Sequence, residues 1–452
     1  MTSYRPADTP APLPGDGTPA NMKKIAVASV IGTTVEWYDL FVFATASALV
    51  FNKVFFPGFV PLVGTLLAFG TFASAYLARI VGAALFGHFG DRLGRKAMLL
   101  VSLIIMGIAT FSIGLLPNYA SIGIWAPILL LTLRVIQGLA LGGEWGGAVL
   151  MAVEHAPAGK RGLYGSWVQI GVPAGTLIAN LAFLVCNATL SNDALLSWAW
   201  RIPFLASALL VGVGLYIRLN TSETPSFRKI KEADAQVKLP IAEVLTRYWK
   251  QVLLGGIATM STGTSFNLIV AFGLTYGTQT LGFSRNAMLS IALIACALCI
   301  VLLPAFGKLS DVVGRKPVII GGIVAEALLA FPLFWLLDTR EFPFALLGYL
   351  LMMTAFAANY GPIATFLAEL FGTEVRYSGL SVSYMLSGLL GSAATPIVTT
   401  ALLSATGRGS SVAWYMMGSA AVSVLALVLL AETLRRDISS AARTNAATAS
   451  LS

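Results

Sequence analysis

The chain is poor in charge. Only 11% of its 452 residues are Asp, Glu, Lys or Arg, while 57% are apolar. A soluble domain carries about 25% charged residues and hides its apolar side chains in a limited core. A chain of this length and composition therefore cannot be a soluble protein, and we infer that its solvent is a lipid bilayer.

Residues for metal and redox chemistry are also scarce. The cysteines are Cys186, Cys296 and Cys299, and all lie in apolar segments. Cys296 and Cys299 have the spacing of a redox or zinc pair, but no further cysteine or histidine lies near them, so we interpret them as packing residues. No nucleotide-binding motif is present. We expect no enzymatic activity, no metal site and no cofactor, so energy for any transport would come from a proton gradient.

Long apolar segments dominate the chain. A membrane-spanning helix needs about 20 mainly apolar residues, and two groups of six segments qualify. They cover 25–51, 62–87, 97–116, 121–151, 163–187, 198–218, 250–279, 286–306, 317–337, 342–370, 378–404 and 411–431. The predicted organisation is a disordered cytoplasmic tail (1–22), a six-helix bundle (23–218), a cytoplasmic linker (219–249), a second six-helix bundle (250–432) and a cytoplasmic tail (433–452).

The two halves repeat one another. Gly87–Lys96 reads GHFGDRLGRK, and Gly307–Lys316 reads GKLSDVVGRK. Other pairs recur at a similar distance: Glu154 and Arg161 with Glu369 and Arg376, and Glu223-Thr224 with Glu432-Thr433. Because each half has an even number of segments, both enter the membrane from the same side. The repeats are therefore parallel, and the predicted fold is an all-α membrane protein of twelve helices.

The basic residues predict the orientation. Lys53, Arg285, Arg340 and Arg408 fall on one side, and Arg79, Arg134 and Arg201 lie inside segments. The remaining 22 of the 29 Lys and Arg residues fall on the side of the termini, which we expect to be cytoplasmic. The net charge of +9 then reflects topology and contact with anionic lipid. A nucleic-acid partner is not needed to explain it.

Several motifs resemble the major facilitator superfamily. They are the Gly87–Lys96 motif with its second copy, and Arg134-x-x-Gln137-Gly138-x-x-x-Gly142. Glu36-Trp37-Tyr38-Asp39, Gly142–Ala148 (GGEWGGA) and Trp200–Phe204 (WRIPF) are similar to the metabolite:proton symporter family within it. That family includes carriers of shikimate, 2-oxoglutarate, citrate, proline and betaine. The resemblance implies that the first, fourth, seventh and tenth helices line a central cavity.

Ionisable groups inside the segments are candidates for function, because each costs roughly 2.5–3.5 kcal/mol to insert. Glu36 and Asp39 are three residues apart and share one face of the first helix. An acidic pair opposite Arg134 would have two states, one paired and one protonated, and we predict that these three residues couple transport to protons. The choice between Glu36 and Asp39 as proton carrier stays open.

Other residues are candidates for the substrate site and for a cytoplasmic gate. Arg79 either snorkels to the lipid headgroups or binds a carboxylate, and Glu144 is either a packing or a gate residue. Arg201 is interpreted as structural, and Glu326 has no assigned role. The predicted substrate-binding residues are Trp37, Tyr38, Arg79, Arg134, Gln137, Asn267, Asn359 and Tyr360. The predicted gate residues are Asp91, Arg95, Glu144, Glu154, Arg161, Asp311, Arg315, Glu369 and Arg376.

The gate hypothesis rests on Asp91. An aspartate at an inner helix end can accept hydrogen bonds from a helix N-terminus in the opposite half, where the helix dipole favours an anion. Gly94 permits the tight turn that follows, and Pro362 is expected to break the tenth helix.

The predicted function is import of a small organic acid with protons by alternating access, through a monomer in the bacterial inner membrane. Three alternatives stay open. They are uptake of zwitterions of the proline and betaine type, an antiporter or exporter of the same superfamily, and a transporter-like sensor.

Overall fold

The computed structural model describes residues 19–58, 61–157, 159–221, 223–232 and 239–434, which are mostly helical and contain no β-strand. Twelve long helices, α1 to α12, form two groups of six. In chain order they are Pro19–Ala46, Pro61–Leu93, Arg95–Leu115, Trp125–His155, Arg161–Cys186, Leu195–Leu219, Trp249–Thr280, Arg285–Val313, Arg315–Asp338, Phe342–Leu370, Arg376–Thr406 and Gly409–Leu429.

The predicted fold class is confirmed. Within the described residues, eleven helices are long and apolar enough to cross a membrane, judged by length and composition. The remaining long helix, α2, has 33 residues. The halves meet mainly where α2 packs against α11 and where α5 packs against α8.

The repeated motifs are more helical than the sequence suggested. The predicted second segment stops at residue 87, yet α2 continues to Leu93 and turns only at Gly94, whose φ is +117°. Gly314 makes the same turn in the second half with a φ of +115°. These left-handed φ values favour glycine. We call the side of the bundle that carries both motifs the hairpin face.

Two predicted segments are interrupted. Helix α10 breaks at Gly361 and Pro362, as expected, and resumes at Ile363. Helix α5 is interrupted at Ile170, which the sequence did not indicate. Helices α7 and α11 contain π-helical turns at Leu268–Phe272, Tyr276–Thr280 and Leu389–Ala393. Such turns often occur at functional sites.

The predicted linker contains two short helices, Pro225–Glu232 and Pro240–Arg247. The first packs on the hairpin face, where the Phe227 ring lies 4.9 Å from the Arg95 guanidinium. Helix α1 begins at Pro19, inside the predicted N-terminal tail. Residues 1–18 and 435–452 of the predicted tails lie outside the described residues.

Glycines bring α2 and α4 into close contact. A Cβ added at Gly142 would lie 2.3 Å from the carbonyl oxygen of Arg79, and one at Gly138 would lie 2.7 Å from that of Ala75. Small residues at a spacing of four allow a neighbouring helix to pack closely, and α2 is that helix. The contact fixes the backbone of Arg79 against α4.

Candidate functional site

The Arg79 side chain points into the protein. It is 4% exposed, and one guanidinium nitrogen, Nη2, lies 3.7 Å from Glu36 on α1. The rings of Trp37 and Tyr76 lie 5.8 Å and 5.4 Å from the guanidinium. These contacts exclude the snorkelling interpretation. The Nε and Nη2 atoms of Arg79 and the Nε1 atom of Trp37 are buried with no hydrogen-bond partner among the described residues.

Asp39 has different neighbours from Glu36. The Thr110 hydroxyl on α3 donates a hydrogen bond of 2.8 Å to Asp39, and the Gln137 amide donates one of 2.6 Å to the Thr110 oxygen. Arg134 in turn donates to the Gln137 carbonyl oxygen. The two acids therefore differ in their arginine partners, whereas the sequence predicted that both lie opposite Arg134. Glu36 pairs with Arg79, and Asp39 is linked to Arg134 through two neutral side chains.

Glu144 belongs to a separate buried ion pair. Arg218 on α6 donates a hydrogen bond to Glu144, and Ser102 on α3 donates another of 2.6 Å. The Glu144 side chain is fully buried. All of these partners lie in the first half of the chain, so the described contacts of Glu144 hold one bundle together and do not join the two halves as a gate residue would.

One of the substrate-binding candidates, Tyr38, lies apart from Arg79. The Tyr38 hydroxyl donates a hydrogen bond of 2.7 Å to the carbonyl of Pro203 on α6. This contact lies in an apolar cluster away from Arg79. Asn267 donates 3.0 Å to the carbonyl of Gly263 on its own helix. The structure thus does not bring Tyr38 to the site. Arg201 lies near one membrane end and donates to backbone carbonyls, as its structural interpretation requires.

Aromatic rings connect the two halves around Arg79. Trp37 stacks on Phe41 at a centroid distance of 5.9 Å, and Phe41 lies 6.1 Å from Phe266 on α7. Phe266 lies 5.5 Å from Phe356 on α10, which stacks on Tyr360 at 5.1 Å. Together with the unpartnered donors, these rings form a lining suited to a small molecule with an apolar body and an anionic end.

A second aromatic contact closes this region on the hairpin side. Trp145 on α4 stacks on Tyr384 on α11 with centroids 3.5 Å apart and planes 10° from parallel. The Tyr384 hydroxyl lies 3.0 Å from that of Tyr360. Gln169 accepts from the Trp145 indole at 2.9 Å and donates to the Tyr360 carbonyl at 3.1 Å. We call these four residues the aromatic floor.

The hairpin face is joined across the halves by Asp91. Its carboxylate accepts hydrogen bonds from the backbone N–H groups of Tyr377 at 3.2 Å and Ser378 at 3.0 Å, and from the Ser378 hydroxyl at 2.8 Å. These residues form the first turn of α11. The predicted contact of Asp91 with a helix N-terminus of the opposite half is therefore present, and the dipole of α11 favours the anion there.

Asp311 makes the equivalent contact from the second half. It accepts from the backbone N–H groups of Gly162 at 2.8 Å and Leu163 at 3.0 Å, in the first turn of α5. Arg315 donates to Asp311 at 2.7 Å and to Glu369 at 3.2 Å. Two helix N-termini are thus each bound by an aspartate of the other half.

Ion pairs surround both contacts. Glu154 lies 3.7 Å from Arg95 and 2.9 Å from Arg376, and Glu369 lies 3.9 Å from Arg161. The Glu154–Arg376 and Glu369–Arg161 pairs join opposite halves. Apart from Glu144, the predicted gate residues therefore lie on the hairpin face in two clusters. One contains Asp91, Arg95, Glu154 and Arg376, and the other contains Asp311, Arg315, Glu369 and Arg161.

The repeated Glu-Thr pairs also contribute hydrogen bonds to the hairpin face. The sequence did not reveal this role. Glu223 accepts from the backbone N–H of Lys96 at 3.1 Å, while Glu432 accepts from those of Arg315 at 3.0 Å and Lys316 at 2.9 Å. The Thr433 hydroxyl donates to Glu369 at 2.7 Å. Each glutamate therefore caps the helix that follows the glycine turn. The recurrence of the Glu-Thr pair after α6 and α12 was the sequence pattern from which this role could have been predicted.

Within the described residues, twelve long helices in two groups of six, with buried charges inside the bundles and contacts that join the two groups on one side, define the architecture of a membrane transporter. The Major Facilitator Superfamily model matches residues 40–396. The chain belongs to this superfamily and is an integral membrane transporter of the metabolite-transport type, not an enzyme.

Known relatives agree with this assignment. The chain is 42% identical to the inner membrane metabolite transport protein YhjE of Escherichia coli (strain K12), over 93% of this chain and 97% of the relative. It is 38% identical to the shikimate transporter of the same organism, over 93% and 98%. The fold is similar to that of the proton:xylose symporter XylE bound to 6-bromo-6-deoxy-D-glucose, with a TM-score of 0.77 and 19% identity, covering 93% of this chain and 98% of that chain.

Proposed function

We propose that the chain imports a small organic acid together with protons. The observation that supports this proposal best is the buried Arg79 guanidinium, which leaves Nε and Nη2 without hydrogen-bond partners among the described residues. A guanidinium presents a planar fork that binds a carboxylate through two hydrogen bonds. The Trp37 indole N–H beside it supplies a further donor. A cyclic or branched carboxylate would occupy the aromatic lining with its body and Arg79 with its charge.

The Glu36–Arg79 pair gives a means of coupling. When Glu36 is ionised, it competes with a substrate carboxylate for Arg79, because both anions interact with the same guanidinium. When Glu36 takes up a proton, Arg79 is free to bind the substrate. Proton binding and substrate binding then favour one another, and this linkage is what symport requires. Asp39, connected to Arg134 through Thr110 and Gln137, is the second carboxyl that we assign to proton transfer.

We propose that the hairpin face is cytoplasmic and that this conformation is closed to the cytoplasm. The basic residues lie mainly on that side, in agreement with the positive-inside rule. In the described residues, the hydrogen bonds and ion pairs between the halves lie on the hairpin face and around the aromatic floor. A cysteine placed at Lys96 should therefore react with an impermeant maleimide only after the inner side is exposed.

The functional proposal is tested by a proton-flux screen. The purified chain is placed in liposomes that contain a pH-sensitive dye, and shikimate, aromatic acids, dicarboxylates, citrate, proline and betaine are added in turn. An organic acid should acidify the lumen, and a protonophore should abolish its accumulation. Acidification by proline or betaine alone would favour the zwitterion alternative. Accumulation that survives the protonophore would contradict proton coupling.

A further inference from the structure

Glu326 is a buried carboxyl that the proposed mechanism does not use. It lies near the middle of α9, eleven residues after Arg315 and twelve before Asp338, which places it about 16 to 18 Å from either end of that helix. Its side chain is 1% exposed. The second half of the chain thus holds an ionisable group at the centre of the membrane, where such a group is costly.

A close helix contact lets Glu326 reach the cavity-lining helices. A Cβ added at Gly322 would lie 2.3 Å from the backbone nitrogen of Asn359, so α9 approaches α10 as only glycine permits. One turn later, Glu326 extends to both α10 and α7. Its Oε2 atom accepts hydrogen bonds from Asn359 at 3.1 Å and from the Ser265 hydroxyl at 2.9 Å.

The described surroundings of Glu326 contain no compensating cation. The described titratable groups in the central part of the helices that pack against α9 are Cys296 and Cys299 on α8, Tyr349 and Tyr360 on α10, and Tyr415 on α12. None of them is cationic. Among the described residues, no lysine, arginine or histidine lies within ion-pair distance of Glu326, in contrast to Glu36 and Glu144, which each have an arginine partner.

The hydrogen bonds also indicate a missing donor. Glu326 Oε1 and Asn359 Oδ1 are buried acceptors with no partner among the described residues. An ionised carboxylate here would carry a buried charge with no cation beside it, which is unfavourable. A carboxylic acid removes that charge and adds one O–H donor to a group of unsatisfied acceptors. The geometry therefore favours the neutral acid.

We propose that Glu326 is a further protonation site, besides Glu36 and Asp39, which holds a proton while the hairpin face is closed and exchanges it as α7 and α10 rearrange. Both of its hydrogen-bond donors lie next to irregular backbone. Asn359 is followed by the break at Gly361 and Pro362, and Ser265 precedes the π-helical turn that starts at Leu268. Movement at either place changes the hydrogen bonds that Glu326 makes and thus its affinity for a proton.

The protonation state is tested by infrared spectroscopy of the purified chain in lipid at neutral pH. Subtracting the spectrum of Glu326→Gln from that of the unmodified chain should reveal a carboxylic-acid carbonyl band that is lost in the variant. Glu341→Gln, which changes an exposed carboxyl at the membrane edge, is the control and should lose no such band. Absence of the band at Glu326 would show an ionised residue and overturn the proposal.

Two further measurements keep the test decisive if Glu326→Gln does not fold. Ser265→Ala retains the carboxyl but removes one hydrogen bond, so the band should shift without being lost; an unshifted spectrum would contradict the assignment. Replacing choline chloride by sodium chloride should leave the band unchanged. Loss of the band in sodium would overturn the proton site in favour of a cation site.

A transport measurement tests whether the proton moves, and this step rests on the proposed function. With an acid identified by the flux screen, the reversal potential in liposomes gives the proton-to-substrate ratio. Glu326→Gln should lower that ratio by a single proton and leave exchange of labelled substrate intact. An unchanged ratio would overturn the carrier role. If the unmodified chain couples no protons at all, the proposed function fails, and the infrared result still decides the protonation of Glu326.

Discussion

At the hairpin face, the two halves of the chain use the same residues for the same contacts. Asp91 binds the first turn of α11, and Asp311 binds the first turn of α5. At the membrane centre the halves differ, because the first contains Glu36 and Arg79 while the second contains Glu326 among neutral hydrogen-bond donors. On the proposed function, the hairpin face is a gate that both halves open and close together, which favours the same contacts in both halves. The proposed substrate site has no such requirement, and its two walls contain different residues.

The largest effect should come from Arg79, which has no counterpart in the second half. We expect Arg79→Ala to lower kcat/KM for the transported acid by at least about 100-fold, because it removes the carboxylate partner and leaves Glu36 buried without its cation. Arg79→Lys should be intermediate, since an ammonium lacks the planar fork. Initial uptake rates in liposomes measure both.

Arg201→Lys is the matched control, because Arg201 contacts backbone carbonyls near a membrane end. It should transport at close to the normal rate. Near-normal uptake by Arg79→Ala would place the carboxylate site elsewhere. The difference between the two halves at the membrane centre would then require another explanation.

Glu36→Gln should separate substrate movement from accumulation. The amide keeps the shape of the side chain but cannot take up and release a proton. Exchange of labelled substrate across the membrane should therefore persist, while accumulation against a gradient should be lost. Asp39→Asn is the comparison variant. If both variants still accumulate substrate, the coupling site does not lie in the first half.

The two aspartates of the hairpin face allow a direct test of whether the two halves contribute equally to the proposed closure. Asp91→Asn should lower kcat about tenfold and leave KM within about twofold, because the neutral amide loses its attraction to the α11 dipole. Asp311→Asn should have a smaller effect, since Asp311 accepts two hydrogen bonds from the opposite half and Asp91 accepts three; the further bond that Asp311 accepts from Arg315 lies within its own half.

Turnover and affinity are both obtained from concentration-dependent uptake. A pure loss of affinity in Asp91→Asn would contradict the gate role. Equal losses of turnover in the two variants would show that the halves contribute symmetrically to closure.

The smallest effect concerns stability. Partial burial acts to raise the pKa of the Glu432 carboxyl, but the backbone N–H groups of Arg315, Leu434, Lys316 and Thr433 outweigh it, so the pKa lies below the usual glutamate value. A lowered pKa in the folded state gives stability that is present above the pKa of the unfolded chain and is lost as the pH falls through that of the folded chain.

Glu432→Gln should therefore cost about 1 kcal/mol at neutral pH, as the loss of a helix cap does, and less in acid. Thermal unfolding of the purified chain between neutral and acidic pH measures this difference. Glu374→Gln is the control. A cost that does not diminish in acid would mean that the charge of Glu432 contributes nothing to the cap.

Sequence patterns predicted the features that depend on local or repeated motifs. The twelve segments, the glycine turns, the break at Pro362 and the contact of Asp91 with the opposite half all follow from residue type and position. The Glu36–Arg79 pair did not follow. Which face of α2 meets α1 depends on how closely α2 packs on α4, and that distance is set by Gly142 in three dimensions.

Tertiary packing also explains why the sequence did not predict the positions of the Glu326 and Tyr38 side chains. The sequence assigned no role to Glu326, but the contact at Gly322 brings it to α7 and α10. Tyr38 lies between Glu36 and Asp39 in sequence, yet the rotation of α1 turns its hydroxyl to Pro203. Helix rotation and close approach are properties of the assembled bundle, and segment hydrophobicity does not encode them.

The aromatic floor has a consequence for the leak of protons through the protein. Two rings stacked 3.5 Å apart leave no space for a chain of water molecules between them, and protons cross a membrane along such chains far more readily than through packed carbon. In the proposed transport cycle, the floor would therefore block protons as well as substrate. A proton taken up at the central carboxyls would then enter the cell only by the movement that also delivers the substrate.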